Sequence, residues 1–465
     1  MRPFDLPRDL PIAVDIDGTL LRGDIAAEAW IRLARRAPRR FFALLRRFLR
    51  FGSHDAKLRL AEEPEAHGPL PSFRATLIAR IRTERAAGRR VIIATGAPRP
   101  FAERAIEELG LGDVELLCPD ALNPMTGASK AGSLLVAAPN GYLYAGDARV
   151  DRPVWEHAEG AIMAGRAYDA WAGTTPILER HLDRSIVADI IGALRPTAAI
   201  TKATIVFVPA IAAHQLGAIP ASLGAAVAVI AAAAAVYVAN DIADLDEDRN
   251  SSRHIRRPIP AGLLPLRFAL VLSPLLALNA LLIAAVAGAL LPIAAYLLLS
   301  GAYVLRIRNT PPIDIIAIAG LHGLRIAAGA AAAGIVISPW LAGAALLTFA
   351  SIGIAKRASD LVAGRERSGY RTSDLPFVAA FGGATAVGAV VVALLYAASD
   401  NAALLYPSGS AWAVGPLLFV VMSRLWFRSL RGEITADPLI AGLRDRANWV
   451  AAAAALLIFL AAGAL

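Results

Sequence analysis

The sequence has a single cysteine, Cys118, among its 465 residues. One thiol cannot form a disulfide framework, so the small disulfide-stapled secreted folds are excluded, and the composition fits a reducing compartment. An apolar signal segment is also lacking, because the N-terminus (Met1 to Asp9) is charged and interrupted by proline. We therefore expect the N-terminal region to stay in the cytoplasm.

Charge is scarce in the second half of the chain. The whole sequence is 57% hydrophobic with a mean hydropathy of +0.54, which is too apolar for a protein that is soluble throughout. Residues 1–180 have an ordinary globular composition, whereas 185–465 is a series of long apolar runs, so we predict two domains with these bounds. The second is predicted to be an all-α polytopic membrane domain of about nine transmembrane helices. Their predicted positions are 196–213, 219–239, 267–288, 291–306, 312–333, 338–357, 376–397, 411–427 and 447–465.

Lysine and arginine are absent from alternate connections between these runs. The connections without them are around 210–222, 286–293, 333–340 and 398–412, and those with them are 249–257, 306–308, 356–371 and 424–446. This is the positive-inside pattern, and it explains most of the net charge of +9 without a nucleic-acid partner. We predict a multi-pass protein of the cell (inner) membrane, with the N-terminal domain and active sites cytoplasmic and the C-terminus outside.

The first 180 residues alternate apolar strands with helical stretches. This order predicts an α/β domain, a Rossmann-like parallel sheet, with strands at 12–14, 91–94 and 142–144. Residues 21–85 are too long for a simple crossover and predict a helical insertion that caps the site. Within it, the Arg-rich segment 32–50 is predicted as an amphipathic helix that contacts either anionic lipid or the domain itself.

Two carboxylates, Asp15 and Asp17, directly follow the first predicted strand in the motif Asp-Ile-Asp-Gly-Thr. The carboxyl ends of strands in a parallel sheet are where such sheets bind ligands. One carboxylate can attack phosphorus while the other transfers a proton to the leaving oxygen. The alternative is a capping turn without chemistry.

Three further elements that suit phosphate chemistry follow along the chain. A Thr-Gly pair after the second strand could hold a phosphoryl oxygen, a lysine could neutralise phosphate charge, and two aspartates could hold Mg²⁺. These residues are Thr95, Gly96, Lys130, Asp147 and Asp151. Over residues 10–160 the pattern resembles the haloacid dehalogenase-like phosphatases. The resemblance implies Asp15 as nucleophile, Asp17 as general acid/base, and both as Mg²⁺ ligands together with Asp147 and Asp151. Lys130 matches loosely, and a surface lysine is the alternative.

An acidic cluster (Asn240–Asp248) follows the second predicted membrane helix. Asp241, Asp244 and Asp248 recur at i, i+3 and i+7, so they share one face of a helix. Because three carboxylates on one face repel one another, the spacing favours a Mg²⁺ site that holds a pyrophosphate-bearing substrate. A solvated acidic loop is the alternative.

The acidic cluster, the nine apolar runs and a polar motif after the sixth run resemble the UbiA-type intramembrane prenyltransferases over residues 190–465. Most members join a polyprenyl diphosphate to an aromatic acceptor and have a second Asp-rich motif. This sequence instead has a basic motif (residues 356–371), in which one carboxylate, Asp360, stands beside Lys356 and Arg357. Such cations suit direct binding of phosphate.

The basic motif resembles that of the decaprenyl-phosphate phosphoribosyltransferases, although Asp360 replaces a glutamate and Ser251-Ser252 replaces a His-Pro pair. The resemblance implies phosphoribosyl pyrophosphate as donor, a polyprenyl phosphate as acceptor and Mg²⁺ as cofactor. It implies that these residues bind substrate: Arg195, Lys202, Asn240, Arg249, Arg253, Arg256, Arg257, Arg325, Lys356, Arg357, Asp360 and Tyr370. For Arg325, snorkelling or a helix–helix ion pair is the alternative.

Two other functions are considered. An aromatic prenyltransferase of quinone or lipid biosynthesis would use a polyprenyl diphosphate donor, with the phosphatase acting on another metabolite. A non-enzymatic, regulatory phosphate-binding role for the N-terminal domain is disfavoured because both Asp15 and Asp17 are retained. The sequence predicts no oligomeric state.

Overall fold

The computed structural model describes residues 10–213, 215–251, 254–366, 368–406, 409–434 and 438–461. The predicted phosphate ligand Arg253 therefore lies outside the described residues, as does Ser252. The chain forms two compact units. The first unit runs to Leu194 and takes in Val238–Leu272, and the second comprises Arg195–Tyr237 and the chain from Ser273 onward. The acidic cluster is thus part of the same compact unit as the N-terminal α/β region.

The first unit contains a six-stranded sheet in which every pair of neighbouring strands is parallel, in the order β3-β2-β1-β4-β5-β6. The predicted parallel α/β fold is confirmed. β1 and β2 consist of apolar residues buried on both faces, as expected for a sheet covered on both sides. The strands are β1 (Ile12–Val14), β2 (Val91–Ala94), β3 (Glu115–Leu117), β4 (Leu143–Gly146), β5 (Gly160–Gly165) and β6 (Ile177–Leu182).

Helices cover both faces of this sheet. The predicted single helix over 32–50 is wrong, because the chain breaks at Ala37 and a new helix begins with Pro38, a residue suited to a first helical turn. The helices are α1 (Ile25–Arg36), α2 (Pro38–Phe51), α3 (Ser53–Leu60), α4 (Ala75–Ala86), α5 (Arg99–Leu109), α6 (Ala128–Ala137) and α7 (Arg152–Trp155). Those from α1 to α4 lie in the predicted helical insertion.

Two hydrophobic clusters follow from the alternation of side chains along the strands. Val14 and Ile93 pack on one face with residues of the helical insertion and α5. Ile92 and Tyr144 pack on the other face with Trp155 of α7 and with residues of α6. The sheet is therefore held rigidly between two cores, with the ends of its strands free to carry polar groups.

From residue 186 onward the described chain is helical. Seven stretches of it are long and apolar enough to cross a membrane, and Leu290–Leu305 and Arg446–Ile458 are shorter apolar helices. The protein is therefore a multi-pass membrane protein, while the count of nine spans stays a prediction. The helices are α8 (Ile186–Leu194), α9 (Pro196–Ala203), α10 (Val208–Ala212), α11 (Ile219–Ala243), α12 (Leu245–Arg249), α13 (Leu266–Val286), α14 (Leu290–Leu305), α15 (Ile313–Ala333), α16 (Pro339–Val362), α17 (Leu375–Ala397), α18 (Asp400–Leu405), α19 (Val414–Ser429), α20 (Pro438–Leu443) and α21 (Arg446–Ala461).

Small residues allow close approach between helices of the second unit. A Cβ atom on Gly382 of α17 would lie 1.9 Å from the ring of Trp426, and one on Gly329 of α15 would lie 1.8 Å from the carbonyl oxygen of Val206. Such contacts are typical of helix packing in lipid, where small residues rather than a hydrophobic driving force bring helices together.

Candidate functional site

The ends of three adjacent strands form the first candidate site. Asp15 follows β1, Thr95 follows β2 and Asp147 follows β4, and β1 lies between the other two. One carboxylate oxygen from each of Asp15, Asp147 and Asp151 lies within 4.8 Å of the others. Carboxylate oxygens are the protein ligands that Mg²⁺ prefers, so this donor set fits the ion that the sequence predicts.

Lys130 of α6 lies in this site. Its Nζ is 3.0 Å from Asp15 Oδ2 and 3.3 Å from Asp151 Oδ1, and its side chain is only 3% exposed. The alternative of a surface lysine is therefore wrong. Tyr144, which the sequence indicated only as a strand residue, donates a hydrogen bond of 2.8 Å to Asp151 and accepts one of 3.0 Å from Lys130. Tyr144 stands two residues after Tyr142 in the predicted strand, so both rings are expected on one face of the sheet, and this spacing is the only sequence feature that could have drawn attention to Tyr144.

The electrostatics of the site favour a bound cation. Burial raises the pKa of Asp147 to about 8, and the neighbouring carboxylates of Asp15 and Asp151 act in the same direction. Burial also raises the pKa of Asp15, although Lys130 opposes that effect. Lys130 supplies one positive charge to this group of carboxylates, and a divalent cation would supply more.

Asp17 differs from the other carboxylates. Its Oδ1 accepts a hydrogen bond of 2.9 Å from the amide of Ile25, the first residue of α1. Within the described residues it does not belong to the close carboxylate group, so the geometry does not support its side chain as a Mg²⁺ ligand. Burial, followed by the charge of Asp24, raises the pKa of Asp17 well above its ordinary value. A carboxyl group that keeps its proton suits a general acid.

Thr95 and Gly96 begin the loop after β2. Thr95 is fully buried, and its hydroxyl oxygen accepts a hydrogen bond of 3.1 Å from the amide of Ala97. A Cβ atom on Gly96 would lie 3.2 Å from the side chain of Thr126. The loop is therefore firmly held at the sheet edge, and a phosphate-binding role for both residues stays a prediction.

Gly18 supports the carboxylate group, and its replacement gives a test. Its φ is +75°, and an added Cβ atom would lie 2.1 Å from Asp147 Oδ2. We expect Gly18→Ala to displace that carboxylate and to lower hydrolysis of a soluble phosphomonoester by about 100-fold, the upper range for disturbed metal sites. Gly88→Ala is the matched control, because Gly88 has a φ of +83° and open space around it. Equal losses in both variants would contradict the steric argument and leave only backbone strain.

The acidic cluster lies at the junction of α11 and α12. Arg257 Nη1 is 3.1 Å from Asp241 Oδ1 and 2.8 Å from Asp248 Oδ2, so these two side chains lie close together. They do not share one helix as predicted, because Asp241 belongs to α11, Asp248 belongs to α12 and the helix is interrupted at Asp244. The amide of Asp248 donates to the carbonyl of Asp244, and that of Asp244 donates to Asn240, both over 2.8 Å. The cation that lies between the carboxylates of Asp241 and Asp248 is therefore the guanidinium of Arg257. The oxygen donors suit Mg²⁺, but among the described residues only the group at Asp15 is drawn closely together.

Two further arginines of this segment are not placed with the acidic carboxylates. Arg249 is buried in an ion pair with Glu28 of α1 and donates a hydrogen bond of 3.0 Å to the carbonyl of Pro260. Its predicted role in substrate binding is not supported, because both terminal nitrogens are engaged by Glu28. Arg256 is exposed.

The basic motif of the second unit holds its carboxylate in ion pairs. Asp360 Oδ1 lies 2.7 Å from Lys356 Nζ and 2.9 Å from Arg365 Nη2. Lys356 also donates a hydrogen bond of 3.2 Å to the carbonyl of Ile434. A carboxylate that is already shared by two cations is a poor metal ligand, which agrees with the prediction that this motif binds phosphate directly.

Arg357 pairs with a buried carboxylate on α15. Its Nη2 lies 3.1 Å from Asp314 Oδ2, and the hydroxyl of Tyr370 donates a hydrogen bond of 2.7 Å to Asp314 Oδ1. The guanidinium carbon of Arg357 is 5.8 Å from the centroid of the Tyr370 ring. Asp314 thus fixes both predicted ligands, Arg357 and Tyr370, in one place.

A second group of cations in this unit lies beside aromatic rings. Arg325 is 4% exposed and donates hydrogen bonds of 2.8 Å to His322 Nδ1 and 3.2 Å to the hydroxyl of Tyr296. Because Arg325 is buried and contacts a histidine ring and a tyrosine hydroxyl, neither snorkelling nor a helix–helix ion pair is seen for it among the described residues. Lys202 Nζ lies 4.7 Å from the centroid of Tyr237, and the guanidinium carbon of Arg195 lies 5.1 Å from the same ring.

The sequence model of the UbiA prenyltransferase family matches residues 203–441, more than half of the chain. The chain belongs to the UbiA prenyltransferase family. The model of the haloacid dehalogenase-like hydrolases matches residues 12–156. This UbiA-family protein therefore combines a membrane transferase domain with an N-terminal hydrolase domain of the haloacid dehalogenase-like type, as the sequence predicted.

Two relatives and one solved structure are similar to this chain over most of their own length. An uncharacterized protein of Sinorhizobium fredii, y4nM, is 29% identical over 97% of this chain and 91% of its own length. The decaprenyl-phosphate phosphoribosyltransferase of Mycolicibacterium smegmatis is 28% identical over 57% of this chain and 88% of its own length. A UbiA homolog from Archaeoglobus fulgidus, solved with DMAPP and Mg²⁺, matches 59% of this chain and 98% of that chain with 15% identity and a TM-score of 0.47.

Proposed function

We propose that this UbiA-family protein transfers phosphoribose from phosphoribosyl pyrophosphate to a polyprenyl phosphate, and that its hydrolase domain removes the 5-phosphate of the product. The observation that carries the proposal is the pairing of Asp360 with Lys356 and Arg365 and of Asp314 with Arg357. A prenyl diphosphate held by two Mg²⁺ ions needs a second set of free carboxylates. A donor with an additional phosphate group needs cations instead.

The similarity to the phosphoribosyltransferase of Mycolicibacterium smegmatis gives independent support, since it extends over 88% of that protein. We further propose that the hydrolase domain and both sites face the cytoplasm of the cell (inner) membrane, because the basic connections predict that orientation.

In the proposed transfer, an oxygen of the lipid phosphate attacks C1 of the donor ribose, and the bond from C1 to the pyrophosphate oxygen breaks. Mg²⁺, when bound by Asp241, Asp244 and Asp248, would neutralise the leaving pyrophosphate. Arg257 can pass from these carboxylates to pyrophosphate oxygens, and Lys356 and Arg357 can hold the 5-phosphate or the lipid phosphate. Because the acceptor is itself the nucleophile, the protein contributes position and charge.

In the proposed hydrolysis, Asp15 attacks the phosphorus of the 5-phosphate and forms an aspartyl phosphate. Asp17 gives its proton to the leaving ribose oxygen and then takes one from the water that releases inorganic phosphate. Lys130, at 3.0 Å from Asp15, can neutralise charge on the phosphoryl oxygens. Mg²⁺ held by Asp15, Asp147 and Asp151 would supply further positive charge.

The alternative is transfer of a prenyl group from a polyprenyl diphosphate to an aromatic acceptor, with hydrolysis of an unrelated phosphate ester. The acidic cluster favours it as much as it favours the proposal, since both donors release pyrophosphate. The pairing of Asp314 and Asp360 with cations does not favour it.

Mass spectrometry of the lipid product distinguishes the two donors. We expect purified protein with Mg²⁺, a polyprenyl phosphate and phosphoribosyl pyrophosphate to form a polyprenyl-phosphoryl-ribose, with release of pyrophosphate in the transfer and of inorganic phosphate in the hydrolysis. A polyprenyl diphosphate offered with an aromatic acid serves as the control donor. Product from the control donor alone would overturn the proposal in favour of the alternative.

A further inference from the structure

Helix α1 of the hydrolase domain contacts the acidic cluster through buried charges. Both carboxylate oxygens of Glu28 accept hydrogen bonds from Arg249, one of them over 2.6 Å. Glu28 is 3% exposed and Arg249 is 6% exposed. A buried ion pair is stabilising only when its geometry is good and its remaining polar groups are satisfied, and here the bidentate arrangement meets the first condition.

Backbone carbonyls satisfy the remaining donors. Arg249 donates to the carbonyl of Pro260 over 3.0 Å and to that of Pro69 over 2.9 Å. Arg32, one turn after Glu28 on α1, also donates to Pro69 over 2.7 Å and pairs with Asp246 over 2.7 Å. Arg36 pairs with Asp246 as well, over 2.8 Å, so three arginines share two carboxylates in one network.

The network stabilises α12, a helix that is too short to be stable without tertiary contacts. α12 (Leu245–Arg249) has five residues, and a helix of about this length is not stable on its own in water. Asp246 near its beginning and Arg249 at its end both bind α1. Asp248 lies between them in sequence and faces Arg257 and Asp241. Contacts with the hydrolase domain therefore hold both ends of α12, while Arg257 and His254 contact the Asp248 side chain itself.

The other end of α1 lies at the hydrolase site. The amide of Ile25 donates to Asp17 Oδ1 over 2.9 Å, and Glu28 comes three residues later on the same helix. One helix of 12 residues contacts both the general acid of the hydrolase and the metal-binding segment of the transferase.

We infer that Glu28 of the hydrolase domain is a positioning residue for the transferase, because it orients Arg249 and, through α12, the Mg²⁺ ligand Asp248. The inference rests on the proposed function in one respect: it takes the acidic cluster as the segment that binds Mg²⁺ and pyrophosphate. The hydrolase domain is then a structural part of the transferase site as well as a second enzyme.

Replacing Glu28 with glutamine tests the inference in the full chain. The change leaves the Arg249 charge buried without its carboxylate and keeps the side-chain size. We expect the Mg²⁺ concentration for half-maximal transfer to rise by about 10–100-fold, as for other residues that orient metal ligands. We also expect faster amide hydrogen exchange in residues 245–251, with unchanged exchange in β1 and unchanged hydrolysis of p-nitrophenyl phosphate.

Two comparisons separate positioning from general damage. Glu103→Gln on α5 removes an exposed carboxylate paired with Arg99, and we expect it to match the unmodified protein in every measurement. In a cycle of Glu28→Gln, Arg249→Gln and the double variant, the two changes should be non-additive in their effect on the Mg²⁺ requirement, since each removes the same contact.

The outcomes are distinct from those of the donor test. If Glu28→Gln leaves either the Mg²⁺ requirement or the exchange of 245–251 unchanged, the inference is overturned whichever donor is used. If the unmodified protein uses only polyprenyl diphosphate, the proposed phosphoribosyl donor is wrong, yet the Mg²⁺ requirement for that donor still tests Glu28. If amide exchange became faster in β1 as well as in residues 245–251, the inference would also be overturned, because the variant would then be generally unfolded.

Discussion

Asp15→Asn is expected to stop release of inorganic phosphate while transfer continues, so that the lipid product keeps its 5-phosphate. The amide cannot attack phosphorus, and loss of an attacking group costs on the order of 10³-fold or more in rate. Asparagine is close in size to aspartate, and Lys130 keeps Asp151 as a partner at 3.3 Å. Mass spectrometry of the lipid, which resolves the phosphorylated from the dephosphorylated product, measures both steps at once.

Asp113→Asn is the control for this experiment, because Asp113 is exposed in the same domain and precedes β3, at the amino end of that strand, whereas Asp15 follows the carboxyl end of β1. We expect it to release phosphate at the normal rate. If Asp15→Asn released the 5-phosphate as fast as Asp113→Asn does, the hydrolase domain would not act on the transferase product. The coupling of the two activities in one chain would then have to be abandoned.

The parts of the fold that the sequence predicted are those with local signals. β1 and β2 consist of apolar, mostly β-branched residues followed by polar turns, and both were located correctly. β5 (Gly160–Gly165) was missed, because glycine and alanine have low strand propensity and its strand conformation depends on pairing with β4 and β6. The break in the Arg-rich segment could have been predicted from Pro38, because proline favours the first turn of a new helix, but the amphipathic pattern across 32–50 favoured one continuous helix.

The candidate site residues also divide into those with a local sequence signal and those whose role depends on a distant partner. Asp15 and Lys130 belong to a motif whose order along the chain can be recognised, and the structure brings them together. The role of Arg249 could not be predicted, since its partner Glu28 is 221 residues away and nothing in either local sequence indicates the pairing. Charge beside a metal-binding motif suggests substrate binding, and only the fold shows that this charge is already neutralised.

Asp241→Asn is expected to abolish transfer. Asp241 is fully buried and shares Arg257 with Asp248, so that the amide would remove both a metal ligand and a partner of the guanidinium. We expect a loss on the order of 10³-fold, about 4 kcal/mol in the barrier, with whichever pyrophosphate donor the protein uses. Hydrolysis of p-nitrophenyl phosphate should be unchanged, because it depends on Asp15.

The matched control is Glu247→Gln, which removes a carboxylate from the exposed side of α12, one residue from Asp248. If the acidic cluster acted only through its total negative charge, the two variants would lose similar activity. A site that binds Mg²⁺ through particular oxygens requires Asp241 and tolerates Glu247→Gln, because a metal ligand acts at a fixed distance whereas an exposed charge is screened by water and salt. Equal losses would therefore contradict a metal site at Asp241, and a large loss confined to Asp241→Asn would support it.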